Sequence, residues 1–272
     1  TPPAKHKLSN LCLAGGVSLN CSLNGKIVKN KIFKEIFVTP ASGDDGCAIG
    51  ACYLAHKKRK KSLVPKKDYN FYKGSTFSET NIKNVIKKNK INFVKPKNLY
   101  EITSKLISQG KIIAWFQEGA EFGPRALGNR SILCRPYPKK MKDHLNSRVK
   151  FREEFRPFAP AVLERYQKDY FNLEQISPHM LIACTVKKNK KNEIPAVVHV
   201  DDTCRVQTVN KFFNKRFNLL LEEFYKITNV PVLLNTSFNV KGQPIVNTPQ
   251  QAIDTFKKTN IDVLIVGNYI SI

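Results

Sequence analysis

Arginines, glycines and hydroxyl side chains crowd two short stretches of this sequence. Glu121-Phe-Gly-Pro-Arg-Ala-Leu-Gly-Asn-Arg-Ser131 sets Arg125, Arg130 and Ser131 in a segment shaped by two glycines and a proline. Glycine lets a backbone come close to an anion, and a guanidinium fork matches the oxygens of a phosphate. A loop of this kind directly after a strand could hold a phosphate; a surface loop with two solvated arginines is the plainer alternative. Lys150-Phe-Arg-Glu-Glu-Phe-Arg-Pro-Phe-Ala-Pro160 sets Lys150, Arg152 and Arg156 among Phe151, Phe155 and Phe158. The aromatics can pin the segment to a core while the cations face one way. A single-stranded nucleic-acid platform has the same composition, although Glu153 and Glu154 would repel a phosphate backbone.

Three further segments carry polar groups where α/β proteins bind ligands. Pro231-Val-Leu-Leu-Asn-Thr-Ser-Phe-Asn239 delivers Asn235, Thr236, Ser237 and Asn239 at the end of an apolar run. Ligands sit at the carboxyl ends of buried strands, so function outweighs a plain turn here. His199-Val-Asp-Asp-Thr-Cys-Arg-Val-Gln207 gathers His199, Asp201 and Arg205 around a turn flanked by strands, where a lone histidine is more often structural than catalytic. At the N-terminal end, Gly15-Gly16 with Asn20, and Gly43-Asp-Asp-Gly46, are glycine turns that permit nucleotide approach. Asp44 is a candidate ligand for a metal or Mg-nucleotide, although glycine turns after strands are common.

The elements needed to position these groups follow from the hydrophobic pattern. Apolar runs at 8–14 and 36–40, each leading into glycine, and a helical stretch over 47–60 spell strand, turn and helix. The lysine-rich, polar stretch 57–75 reads as a linker. Beyond it, 81–90, 100–109, 139–149, 212–228 and 249–258 read as helices. Strands are expected over 112–116, 180–186, 230–235 and, last in the chain, 263–266.

The 272 residues can build two domains, and 42% apolar residues are enough for a real core. A formal charge of +25 points to anionic partners. Much of it is lysine interspersed with asparagine and isoleucine, which a compositional habit of the genome explains as well. Seven cysteines at irregular spacing give no zinc pattern and fit a reduced, cytoplasmic compartment. No apolar run is long enough to cross a bilayer, and no signal peptide is evident. A first residue other than methionine fits a piece excised from a longer chain.

Taken in order, the segments resemble the O-carbamoyltransferase family of nodulation and antibiotic-tailoring enzymes. The matching motifs are Leu13-Ala-Gly-Gly-Val-Ser-Leu-Asn-Cys21, Gly43-Asp-Asp-Gly-Cys-Ala-Ile-Gly-Ala51, Glu121–Leu133, Lys150–Pro160, His199–Gln207 and Pro231–Val246. No single motif is specific, whereas the ordered set is, and it covers most of the chain. The resemblance implies an α/β protein in two parts. Residues 1–65 would be the C-terminal part of an actin-like domain of the kind shared with tRNA threonylcarbamoylation proteins. Residues 66–272 would be a YrdC-like carbamoyltransferase C-terminal domain with a twisted mixed sheet.

The resemblance further implies that carbamoyl phosphate and ATP give carbamoyl-adenylate, whose carbamoyl group passes to the hydroxyl of a small-molecule acceptor. Lys150, Arg152 and Arg156 would be catalytic. Gly15, Gly16, Asn20, Arg125, Arg130, Ser131, His199, Arg205, Asn235, Ser237 and Asn239 would bind substrate or nucleotide. Asp44 would bind metal: Mg2+ with ATP, and an iron-type divalent ion in a complete actin-like domain. The family's paired-histidine metal motif is missing, since none of His6, His56, His144, His179 or His199 forms such a pair. Asp202, Cys204 and Gln243 stand where glycine, alanine and glutamate are usual. The alternatives are a threonylcarbamoyl-adenylate synthase of tRNA modification, whose motifs match less well, and a non-catalytic basic module that binds nucleic acid. Glu153 and Glu154 argue against nucleic acid as the partner, and the lack of a bilayer-length apolar run argues against a membrane.

Overall fold

The computed structural model of the chain describes residues 8–60, 70–151, 153 and 156–272. It opens with a β-α-β unit. Strand β1 (Asn10–Leu13) pairs in parallel with β2 (Glu35–Val38), and helix α1 (Cys21–Lys29) lies between them in sequence. Asn20 starts α1 by accepting a 3.1 Å hydrogen bond from the Leu23 amide, the usual satisfaction of an orphaned helix N–H. Helix α2 (Cys47–Lys60) follows the glycine turn at Gly43–Gly46. It extends over residues 57–60, which the lysine pattern suggested were linker. The expected boundary at 65/66 falls on residues 61–69, outside those described, whereas 70–75, also read as linker, pack onto the body, with Phe71 buried and the Gly74 amide donating to the Ala120 carbonyl at 2.9 Å.

The rest of the chain supplies α3 (Glu79–Asn89), α4 (Leu99–Ser108), β3 (Ile113–Phe116), β4 (Arg130–Cys134), α5 (Met141–Leu145), β5 (Ala159–Leu163) and α6 (Gln167–Tyr170). Next come β6 (Ala183–Thr185), β7 (Thr203–Arg205), β8 (Gln207–Val209), α7 (Lys215–Thr228), β9 (Val232–Ser237), α8 (Pro249–Lys257), β10 (Val263–Val266) and β11 (Tyr269–Ser271). Seven strands form one mixed sheet in the order β11-β10-β3-β4-β9-β5-β8, and β6 pairs separately with β7. The α/β class and the mixed sheet agree with expectation. Helices α4 and α7 cover one face, packing Ile107, Phe217, Leu220 and Phe224 onto Trp115, Leu133, Ala161 and Leu233. Helices α3, α5, α6 and α8 contribute to the core on the other face, where Ile82, Leu145, Tyr170 and Ile253 join Phe116, Ile132, Val162 and Leu234. Burial on both sides explains why β3, β5 and β10 are unbroken apolar runs rather than alternating ones.

Several elements differ from the pattern. Helix α1, β4 and β5 were not foreseen. Arg130 and Ser131, read as part of a loop, begin β4, and residues 159 and 160, read as the tail of a cationic segment, begin the internal strand β5. The helix expected over 139–149 is shorter and continues as a π-turn, Asn146–Lys150. The turn around His199 feeds two sheets, because β7 pairs with β6 whereas β8 pairs with β5. A hairpin partner, β11, follows the strand expected to be last. Among the described residues no helix is long and apolar enough to cross a membrane.

The first unit is seated on the segment from Gln175 to Ala183. The Gln175 side chain donates to the Ile36 carbonyl at 2.8 Å and accepts from the Ile36 amide at 3.1 Å. Asn24, fully buried, donates to the carbonyls of Ser18 and Leu181. Leu181 completes a small core with Ile36 and Val38.

Candidate active site

The glycine-arginine loop is held by its own acid. Glu121 Oε1 accepts from the amides of Leu127 at 2.7 Å, Asn129 at 2.8 Å and Arg130 at 3.2 Å, which folds residues 121–130 around one carboxylate. Glycine is needed at Gly123, with φ at 135° and the Pro40 carbonyl oxygen 2.5 Å from where a Cβ would stand.

The loop's two arginines part company. Arg130 is buried and lies over the Phe116 ring, its Cζ 3.7 Å from the ring centroid. Its guanidinium donates to the carbonyls of Gln117, Asn129, Ser75 and Glu118. Burial brings its pKa down to about 10, partly offset by Glu121. Ser131 is also buried, and its hydroxyl oxygen accepts from the Gly128 amide at 3.0 Å. Both were expected to bind ligand; the structure commits Arg130 to four backbone carbonyls and Ser131 to the turn. Arg125 is only half-buried. Its Nε is enclosed without a hydrogen-bond partner among the described residues, and burial holds its pKa below the usual arginine value. A desolvated guanidinium with unspent donors suits an anion.

Lys150 ends the π-turn after α5, and such turns recur at functional sites. Phe151 follows in the left-handed region, with φ at 48°. The Lys150 side chain is buried and reaches the end of β9. There its ammonium donates to the Ser237 carbonyl, to the Ser237 hydroxyl at 3.3 Å, and to the Asn239 carbonyl and side-chain oxygens at 3.0 and 2.9 Å. Ser237 in turn donates to Asn239 Oδ1 at 2.7 Å. The structure thus brings Lys150, Ser237 and Asn239 together.

Asn235, two residues earlier on the same face of β9, is almost wholly buried. Its side-chain nitrogen donates to Gln207 Oε1 at 2.7 Å and to the Ala126 carbonyl at 3.2 Å, next to Arg125. Gln207 donates to the Leu127 carbonyl at 2.7 Å, which also receives the Tyr72 hydroxyl at 3.0 Å. Burial pushes the Tyr72 hydroxyl pKa well up. Gln207 was not among the expected site residues. Its signal was its place closing the His199–Gln207 run, two residues past the cation Arg205.

His199 and Arg205 lie to one side. His199 Nδ1 is 3.2 Å from the Thr203 hydroxyl, and burial lowers the imidazole pKa against the opposing pull of Asp201. Arg205, half-buried on β7, lies close enough to lower it further. Arg156 is exposed, with its Nε 2.9 Å from a Glu153 carboxylate oxygen, so in this structure it is a surface ion pair rather than part of the cluster. Arg152 lies outside the described residues.

The N-terminal candidates are elsewhere. A cavity of about 1000 Å³ is lined by Gly15, Asp44, Tyr53, His56, Phe71 and Phe122, among others, and by none of Lys150, Asn235 or Ser237. Gly16 begins a 3-10 turn and Asn20 caps α1. Asp44 is exposed, and no group of three or more His, Cys, Asp or Glu side chains able to hold a metal occurs among the described residues. These residues do not by themselves make a metal centre.

The site gathers a buried lysine and a row of amides at one end of β9 in an α/β fold, with a half-buried arginine next to the Ala126 carbonyl that Asn235 meets. The carbamoyltransferase C-terminus family matches residues 104–272, and the carbamoyltransferase N-terminus family matches residues 1–53. The chain belongs to the carbamoyltransferase family. It is 40% identical to the nodulation protein NolNO of Sinorhizobium fredii over 97% of this chain and 40% of that protein. It is 38% identical to an uncharacterized protein of Synechocystis over 97% of this chain and 47% of that one. The chain therefore spans less than half the length of these relatives. Among solved structures, HypF of T. kodakarensis aligns over 58% of this chain and 19% of its own, with 18% identity and a TM-score of 0.41.

Proposed function

We propose that this chain carries the adenylate-forming site of an O-carbamoyltransferase that uses carbamoyl phosphate and ATP. The observation that carries the reading is the Lys150 ammonium held against Ser237 and Asn239 at the end of β9, on the strand that also bears Asn235. Both substrates are polyanions, and a buried cation with neighbouring hydroxyl and amide groups neutralises them where water competes least. Lys150 and Arg125 supply the positive charge. Ser237 and Asn239 hold Lys150 until phosphate oxygens replace them, and Asn235 meets the carbamoyl group.

The chemistry runs in three displacements. Water cleaves carbamoyl phosphate to carbamate and inorganic phosphate. A carbamate oxygen attacks the α-phosphorus of ATP and pyrophosphate leaves. An acceptor hydroxyl then attacks the carbamoyl carbon, AMP leaves, and the hydroxyl proton is lost to solvent. Mg2+ would enter with ATP, neutralising its β- and γ-phosphates. Asp44 and the cavity around it are our candidate for the transfer step, because they lie apart from the Lys150 cluster and carry the remaining family motifs. An iron-type ion there would need ligands beyond Asp44.

The test is pyrophosphate release by the purified chain. Carbamoyl phosphate with ATP should release it, and threonine with bicarbonate and ATP should not. Release with the second set alone would replace this reading by threonylcarbamoyl-adenylate synthesis.

A further inference from the structure

The orientation of the Asn235 amide is fixed twice over. A backbone carbonyl can only accept, so the group that Gln207 turns toward Leu127 must be its NH2. Gln207 Oε1 is then left facing Asn235, which must answer with its own NH2. The Ala126 carbonyl independently demands the same NH2. Rotating the Asn235 amide by half a turn would set its oxygen against two other oxygens and forfeit both hydrogen bonds. Asn235 Oδ1 is therefore an obligate acceptor, and it is buried with no partner among the described residues. Asn24, Gln117 and Gln167 also bury an unpartnered oxygen, but Asn235 alone among them stands on the strand that ends at Ser237 and Lys150.

We infer that Gln207 is a positioning residue whose hold on Asn235 makes the site selective for acyl phosphates that carry an N–H group on the acyl carbon. The inference rests on the function proposed above. Carbamoyl phosphate presents an NH2 where acetyl phosphate presents a methyl group of nearly the same size. The NH2 satisfies Oδ1; the methyl leaves a buried acceptor stranded and desolvated, the costly half of an unmade hydrogen bond. Shape alone discriminates poorly between isosteres, whereas a buried polar group that needs its partner discriminates well.

The test is calorimetric binding of carbamoyl phosphate and of acetyl phosphate to the full chain, with the ratio of the two dissociation constants as the readout. The original protein should favour carbamoyl phosphate by about tenfold or more. In Asn235→Leu the ratio should fall to near one. In Gln207→Met it should fall several-fold, mainly through weaker carbamoyl phosphate binding, because Asn235 is then held by Ala126 alone. A general loss of structure would weaken both ligands together and leave the ratio unmoved, and the melting temperature of each variant monitors that separately. Equal binding of the two ligands by the original protein, or an unchanged ratio in folded Gln207→Met, overturns the inference and leaves the carbamoyl phosphate reading standing. Binding of neither ligand overturns both.

Discussion

Gly25 of α1 lies against the Ala183 carbonyl, where a Cβ would stand 2.0 Å from the oxygen. Ala183 belongs to β6, so this contact lets the first β-α-β unit sit directly on the backbone of the second part of the chain. Gly25→Ala should force the helix away. Overpacking of this kind costs about 1–3 kcal/mol, or several degrees of melting temperature for a chain of this size. Calorimetric melting should show the loss. An unchanged melting curve would mean that α1 shifts without penalty.

Arg130 and Arg125 should behave as opposites. Arg130→Met removes a donor from four carbonyls, of which those of Asn129 and Ser75 keep a backbone amide, and should cost about 3 kcal/mol of stability. Arg125→Ala should change the melting temperature little, since its Nε bonds nothing among the described residues, yet weaken inorganic phosphate binding by about tenfold. If Arg125→Ala unfolds the chain while Arg130→Met only weakens phosphate binding, their roles are reversed.

Lys150→Met should cut carbamoyl phosphate-dependent pyrophosphate release by about a hundredfold or more, the usual loss when a preorganised charge is removed from a transition state. The variant also releases the Ser237 and Asn239 oxygens from their cation, so its melting temperature should fall modestly. Retained activity would remove Lys150 from the mechanism.

Stability should depend on acid through His179. Its ring packs edge-on against Phe71 at 5.0 Å and Phe37 at 6.3 Å, in the seam between β2 and the segment that follows α6. Burial drives its pKa down to about 4, below the ordinary histidine value, so the folded state keeps it neutral. The unfolded chain takes up the proton first. This contribution is complete above about pH 6.5 and is lost as the pH falls toward 4, by no more than about 3 kcal/mol. Urea titrations between pH 7 and pH 4 should show the slope in the original protein and a shallower one in His179→Gln.

The sequence placed most helices to within a few residues. Helices α3, α7 and α8 begin at Ser78, Asn214 and Thr248, whose side chains cap the first turn, and a cap is a local event. It also marked Asn235, Ser237 and Asn239, because polar groups ending an apolar strand are a pattern along the chain, and Lys150, because cations interleaved with aromatics are another. It missed β4 and β5, since their place in the sheet comes from pairing with β9, about a hundred and about seventy residues later. It could not separate Arg125 from Arg130. Both are arginines in the same short motif, and only the fold shows that one begins β4 with its guanidinium enclosed by carbonyls while the other keeps donors to spare. Gln207 was likewise silent, because a glutamine acquires a role only when its two ends meet particular partners. The amino-acid order determined which chemical groups the site contains; long-range pairing and burial, which depend on residues far apart in the chain, decided which of them are spent on the fold and which remain to meet a ligand.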